Sequence, residues 1–338
     1  MNTEHLSQPF DGAPDATIRR VAVIGTGTLG AQIAAMVAAS GREVVLHDAV
    51  PAAAEAALPR LRAMLAPVIA RGELAWDLEA VLGRMRIAPS LDAAVRDVDL
   101  VIEAVREDLE TKRRVFAAIS DVNPAALLAT NSSSIPCSQL ADVVAEPSRL
   151  VNLHFFTEFW RRSMVELMGN PQTSPETMRI MEAFGRSLGL FCAVCHGESK
   201  GFIINRIWRA VKREALRVVD EGHADPETVD RLWAFFWGTD VGPFGAMDRI
   251  GLDVIADIED SYIAVSPDPT DVRSRTLHEL VEQGHLGEKA GRGFYTYPNP
   301  AYQRPCWPRE PHAPSSDQQE PPSGRAPDHG APARTPDV

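Results

Sequence analysis

The stretch Val21-Ala22-Val23-Ile24-Gly25-Thr26-Gly27-Thr28-Leu29-Gly30 decides how the rest of the 338-residue chain is read. An apolar strand-like run enters G-x-G-x-x-G directly, and Ala31–Ala39 after it has a helical composition. Gly25 permits a tight turn, Gly27 lets the backbone approach a pyrophosphate, and Gly30 lets helix and strand pack closely. A helix starting here offers free N–H groups and a positive dipole end to an anion. The next apolar run, Glu43–His47, leads to Asp48, 18 residues past Gly30, close to the spacing of an acid that bonds a ribose 2′-hydroxyl. A carboxylate there repels a 2′-phosphate, and Ala49-Val50-Pro51 supplies no cation to hold one, so the pattern selects NAD over NADP. The expected cofactor contacts are Gly25, Gly27, Thr28, Leu29, Gly30 and Asp48. The competing reading is a glycine turn that binds nothing, or binds FAD; strand, helix and acid in register favour the nicotinamide dinucleotide.

Outward from this motif, short apolar runs alternate with helical segments. Strands are expected at Arg20–Ile24, Glu43–His47, Arg84–Ala88, Leu100–Ala104, Ala126–Ala129, Arg149–Phe156, Met164–Met168 and Leu190–Val194, with helices at Leu109–Ile119 and Pro175–Leu188. This βαβ rhythm implies a parallel sheet covered on both faces. Within Pro51–Arg71, Pro51 suits a first helical turn, whereas Pro59 and Pro67 should kink or break any single helix. After Gly201 only helices are expected, at 201–222, 226–237, 244–260 and 271–283, punctuated by Gly222, Gly238 and Gly242-Pro243. The fold class is therefore α/β, a Rossmann-type dinucleotide-binding domain (18–198) followed by an all-helical C-terminal domain (199–297). Residues 1–17 are polar, and 298–338 carry ten prolines from Pro300 to Pro336. Both are expected to be disordered, because such composition buries too little apolar area to offset its ordering entropy.

Apolar residues at 45% and charged residues at 24% are ordinary for a soluble globular chain. A net charge of −12, with scattered basic residues, argues against nucleic acid as a partner. Apolar runs fall short of the ~20 residues a membrane helix needs, and the first twenty residues lack a signal peptide's apolar centre, so a cytoplasmic location is expected. Cys192-Ala-Val-Cys195 has C-x-x-C spacing but lies in a strand-like run with no second ligand pair, which favours structural cysteines and no metal site.

Oxidising a hydroxyl to a ketone needs a base for the O–H proton while hydride leaves carbon. His154 follows the apolar run Leu150–Leu153, so it should emerge near a strand end, where α/β sheets place their sites. Glu166 interrupts the apolar run Met164–Met168, and a buried carboxylate is costly unless paired. A histidine would be a fitting partner, oriented and favoured in its protonated form by the Glu. The plainer reading is a satisfied core histidine and a solvent-facing glutamate.

Taken together, these segments resemble the 3-hydroxyacyl-CoA dehydrogenase family over roughly residues 20–297. His154-Phe155-Phe156, with Glu166 twelve residues on, is similar to that family's catalytic His–Glu arrangement. Asn131-Ser132-Ser133-Ser134 resembles its Asn-Thr-Ser-Ser loop, which implies Ser133 as hydroxyl donor to the substrate oxygen. Gly201-Phe202-Ile203-Ile204-Asn205-Arg206 resembles its entry to the helical domain, where Asn205 would fix the substrate carbonyl. Gly242-Pro243-Phe244 with Asp248 and Gly251-Leu252-Asp253, and Gly291-Arg292-Gly293-Phe294-Tyr295, match two further stretches. The resemblance also implies cofactor contacts from Glu107, Lys112, Ser133 and Lys289, and a homodimer formed through the helical domain.

The chain departs from the family in two places. Where the family reads Asn-Pro after His-Phe-Phe, this sequence has Thr157-Glu158, followed by Arg161 and Arg162; and Met64 and Arg71 stand where a Ser and a Lys contact CoA. Arg71, Thr157 and Arg161 are therefore candidate substrate contacts. The resemblance implies an NAD-dependent enzyme interconverting a 3-hydroxyacyl thioester and its 3-oxo form, carried on CoA. One alternative is an acyl group on a carrier protein, as in polyketide extender-unit biosynthesis, and a free hydroxy acid is another. An alternative of a different class is an NAD-binding, crystallin-like relative without turnover.

Overall fold

The computed structural model describes residues 17–309, so the expectations for 1–16 and for 310–338 lie outside the described residues. The chain divides between Trp208 and Arg209 into two compact units. Residues 203 and 204, beyond the boundary expected at 198/199, donate their amides to Glu166 of the first unit.

The first unit is built on an eight-stranded sheet, β1 Arg20–Ile24, β2 Glu43–His47, β3 Met85–Ile87, β4 Leu100–Glu103, β5 Leu127–Thr130, β6 Leu150–Phe155, β7 Met164–Gly169 and β8 Phe191–Cys195. Its order is β3-β2-β1-β4-β5-β6-β7-β8. Strand order reverses between β1 and β4, and such a switch point opens a crevice outside the C-terminal strand ends. Helices cover both faces: α1 Thr28–Ala39, α2 Pro51–Glu55, α3 Ala57–Ala70, α4 Leu78–Gly83, α5 Leu91–Val95, α6 Leu109–Val122 and α7 Pro175–Ser187. Ile33, Leu61, Phe155 and Phe184 belong to the core on one face, and Val95, Phe116 and Leu140 to the core on the other. That double burial is why β4 and β5 read as apolar runs up to their last residues, Glu103 and Thr130.

Three local expectations are corrected. The sheet is not uniformly parallel: β7 runs antiparallel to β6, because the link 156–163 is too short to carry a crossover helix. Of the two prolines expected to break the 51–71 segment, Pro59 accompanies a break: α2 ends at Glu55, whose carbonyl a proline four residues on cannot bond, and α3 takes Pro59 into its first turn. Pro67 does not break α3, which continues to Ala70 with the Arg71 amide donating to the Pro67 carbonyl. The short helices α4 and α5, capped by Asp77 and Ser90, were not expected.

In the second unit the remainder of α8 (Ile204–Asp220) is followed by α9 Pro226–Trp237, α10 Pro243–Ile250, α11 Leu252–Ile263 and α12 Arg275–Glu282. The expected single helix at 244–260 is two helices, divided at Gly251, whose φ of +107° few L residues adopt. Asp230, fully buried, accepts the amides of Phe244 (2.8 Å) and Gly245 (2.8 Å) and the Tyr295 hydroxyl (2.9 Å). Asp248 accepts the amides of Phe294 and Tyr295 and the Tyr297 hydroxyl. A Cβ on Gly242 would fall 2.4 Å from Asp230, and one on Gly293 would fall 2.1 Å from Asp248. The two C-terminal motifs therefore form a buried lock between carboxylates and glycines. The Pro-rich tail does not lose fixed structure at 298: Tyr302 and Trp307 are buried, and the Trp307 indole N–H donates to Glu227. Aromatic burial offsets the ordering cost that proline content alone suggested.

Candidate active site

At the switch point the glycine turn and the start of α1 line a cavity of about 620 Å³ together with His47, Asp48, Ala104, Val105 and Thr111. A Cβ on Gly25 would meet the Ala104 carbonyl at 2.6 Å, and one on Gly30 would meet the Gly25 carbonyl at 2.0 Å. Gly27 faces no atom within 4 Å, so here the bare backbone borders open space. Asp48 follows the end of β2, with Oδ2 accepting the Thr26 amide (2.8 Å) and hydroxyl (2.9 Å) and Oδ1 accepting the Val50 amide. Burial opposes its ionisation, yet these bonds and His47 hold the carboxyl below its ordinary range. A fixed carboxylate beside an exposed backbone turn and a helix N-terminus is a donor and acceptor set that fits a dinucleotide lacking a 2′-phosphate.

Beyond that cavity, β6 and β7 place His154 directly opposite Glu166 in antiparallel register. Nδ1 of His154 lies 3.0 Å from Oε2 of Glu166, and both side chains are almost fully buried. The other carboxylate oxygen, Oε1, accepts the amides of Ile203 (3.0 Å) and Ile204 (2.8 Å), where α8 begins. Burial works against the charge on Glu166, but the bond to His154 and the two amides outweigh it and lower its pKa. The imidazole packs between Phe156 (4.5 Å between centroids) and Phe202 (5.0 Å). Phe202 holds a φ of +53°, a strained region for a bulky residue, and so carries its ring onto the histidine. Accepting the Nδ1 proton, Glu166 leaves Nε2 as the basic nitrogen.

The loop after β5 leaves the sheet beside β6, since Thr130 pairs with Asn152. Asn131 Oδ1 accepts the Phe155 amide, next to His154. Asn152 accepts the Cys137 amide and donates to the Ile135 carbonyl, fixing the far side of the loop. Glu107 accepts the hydroxyls of Ser132 (2.5 Å) and Ser134 (2.7 Å). Ser133 between them is partly exposed, with no protein partner among the described residues.

Known proteins match most of the chain. The family model "3-hydroxyacyl-CoA dehydrogenase, NAD binding domain" matches residues 20–198, and the C-terminal domain model matches 201–297. The chain belongs to the 3-hydroxyacyl-CoA dehydrogenase family. It is 33% identical over 282 residues to the probable 3-hydroxybutyryl-CoA dehydrogenase of Bacillus subtilis, covering 83% of this chain and 98% of that protein. The solved (S)-3-hydroxybutyryl-CoA dehydrogenase of Ralstonia eutropha is similar at 32% identity and a TM-score of 0.78, covering 83% of this chain and all of that one. A solved diketoreductase is similar at 32% identity and a TM-score of 0.75 over the same shares. As a member of this family the chain is an NAD-dependent oxidoreductase of the 3-hydroxyacyl-CoA dehydrogenase type, and NAD is its cofactor.

The remaining candidates fall unevenly. Lys112 is 1% exposed, its ammonium 2.8 and 3.0 Å from the two oxygens of buried Glu103 and 3.3 Å from Glu107. Within the protein its charge faces these two carboxylates. Arg71 and Arg161 meet on one residue, Glu73, at 2.5 and 3.5 Å. Arg162 donates to the Thr157 hydroxyl and carbonyl, and Trp76 stacks on Phe159 at 5.2 Å. Asn205 follows the Glu166-capped amides in the first turn of α8 and is partly exposed. In the second unit, Lys289 donates to both oxygens of Asp253. Cys192 packs in the main core and Cys195 with Met168 and Phe202, so the C-x-x-C residues serve separate clusters. Among the described residues no helix is long and apolar enough to cross a membrane. Glu73, Glu103 and Thr130 have no motif of their own, and the motif that holds Phe202 does not point to its contact with His154; only the buried-charge rule, applied to Glu103 at the end of an apolar run, offers a signal.

Proposed function

We propose that the chain interconverts a 3-hydroxyacyl thioester and its 3-oxo form with His154 as general base. The reading is carried by the 3.0 Å cross-strand bond between His154 and Glu166. Nε2 takes the hydroxyl proton, and the growing imidazolium charge is met by a carboxylate already held ionised. Ser133 donates a hydrogen bond to the reacting oxygen, and the Asn205 amide orients the substrate carbonyl. NAD, when bound, accepts the hydride from the same carbon. In the reverse direction Nε2 returns the proton to the alkoxide. Gly27, Thr28 and Leu29 would hold the pyrophosphate at the start of α1, and Asp48 would hold the ribose.

Arg71 and Arg161 share a single carboxylate, so an excess positive charge at that place favours an anionic substrate group. A CoA phosphate and the phosphopantetheine arm of a carrier protein both supply one, and a free hydroxy acid supplies a carboxylate. We assign CoA first, as in the B. subtilis and R. eutropha relatives. A homodimer through the second unit is the accompanying proposal, supported by exposed Leu232, Phe235, Phe236 and Trp237 on α9. Stopped-flow NADH formation should be observed with 3-hydroxybutyryl-CoA and be slower with the carrier-linked and free-acid forms. Faster turnover of the carrier-linked form would replace CoA as substrate carrier. No turnover with any of them, alongside tight NAD binding, would favour the non-catalytic reading.

A further inference from the structure

Behind the Ser133 loop lies a closed ring of polar side chains that the reaction as described does not use. Thr130 Oγ1 donates to Glu103 Oε2 (2.7 Å) and accepts the Ser132 amide (3.2 Å). The Ser132 hydroxyl donates to Glu107, Glu107 lies 3.3 Å from the Lys112 ammonium, and Lys112 returns to Glu103 at 2.8 Å. Glu103 also accepts the Val105 amide (2.7 Å), and Val105 with Ala104 forms the cavity wall that Gly25 abuts. Glu103, Lys112, Thr130 and Ser132 are buried, and Glu107 is the member of the ring that reaches solvent.

We propose that Glu103 and Thr130 are positioning residues, which hold the loop after β5 in the one arrangement that frees the Ser133 hydroxyl for substrate. The inference rests on the role given to Ser133 above. Two routes leave the Glu103 carboxylate, one through Thr130 and one through Lys112 and Glu107, and both end on Ser132. With Ser132 and Ser134 fixed by Glu107 on either side, Ser133 cannot turn inward to satisfy its hydroxyl there. The same carboxylate sets the wall against which the glycine turn lies, so cofactor and substrate donor are registered to a common point.

A double-mutant cycle tests this, read as kcat, KM for NAD and thermal midpoint. Ser133→Ala alone should lower kcat about tenfold or more, as loss of one hydrogen-bond donor to a developing oxyanion does; wild-type kcat would overturn the role of Ser133 itself. Thr130→Val keeps shape and removes both of the hydroxyl's bonds, and should lower kcat severalfold with KM for NAD little changed, while Thr130→Ser restores wild-type values. In the Ser133→Ala background, Thr130→Val should leave kcat where Ser133→Ala put it, because the group being positioned is gone. Equal fold-losses in both backgrounds, or an impaired Ser133→Ala beside an unimpaired Thr130→Val, would overturn the positioning role while leaving that of Ser133 intact. Glu103→Gln, if it folds, should follow Thr130→Val in the cycle and raise KM for NAD as well.

Discussion

Glu166 in the first unit and Asp230 in the second are built alike: each is a buried carboxylate accepting two amides at the start of a helix. They differ in the third partner. Glu166 takes both amides on one oxygen and turns the other to an imidazole, whereas Asp230 takes one amide on each oxygen and adds, on the oxygen that accepts the Gly245 amide, a tyrosine hydroxyl whose own pKa is driven far up by burial and by Asp230. Opposite titration follows. Glu166 is held below the ordinary carboxylate range, while burial pushes Asp230 up to about 6 despite its three donors. A buried carboxylate with a titratable neighbour can take part in proton transfer; the same group surrounded by backbone and phenol holds structure only.

The largest effect expected from this contrast is at the base. His154→Ala should lower kcat by about two to four orders of magnitude with NAD affinity barely changed; near-wild-type turnover in a rapid-mixing assay would remove His154 from the reaction. Glu166→Gln should cost about two orders of magnitude or more, because an amide N–H facing Nδ1 selects the tautomer with its proton on Nε2. Preserved kcat there would make Glu166 a helix cap and nothing else, like its counterpart.

Asp230→Asn should act on stability instead, by about 1–3 kcal/mol in a denaturant titration, with kcat of the folded fraction unchanged. Its pH dependence also has a defined sign. A folded pKa above the unfolded one means that the native state binds the extra proton, so the contribution of Asp230 is complete below pH ~4 and is lost as pH rises through about 6. Glu166 works the other way, stabilising above its unfolded pKa and ceasing to as pH falls through the lowered one. Subtracting the stability profile of each variant from wild type should yield slopes of opposite sign, and matching slopes would dissolve the distinction. The smallest effect lies in cofactor choice: Asp48→Arg should shift the NAD/NADP preference about tenfold or more toward NADP, and an unchanged ratio would take Asp48 out of the ribose site.

Much of the first unit was legible because its signals are local. The glycine spacing, the acid after β2 and the apolar runs each follow from the chain's own period. The pairing of His154 with Glu166 was legible at one remove, since two strands joined by a short link bring residues a dozen apart into register. Residues whose role depends on distant partners were not legible. Glu103 reads as the end of an apolar strand until Lys112 and Thr130 close around it. Phe202 reads as an ordinary helix-entry aromatic until its left-handed backbone turns it onto the imidazole. Lys112 looks solvated on an amphipathic helix, and only the fold reveals the acid beneath it.

The burial of Tyr302 and Trp307 has a practical consequence for anyone trimming this protein. Likeness to the family ends at residue 297, yet the ordered aromatic packing continues to about 309. A truncation at the homology limit would strip the indole from Glu227 and one phenol from Tyr297, uncovering a greasy socket on the helical half. A cut that keeps these contacts has to fall beyond Trp307, downstream of where alignment alone would place it.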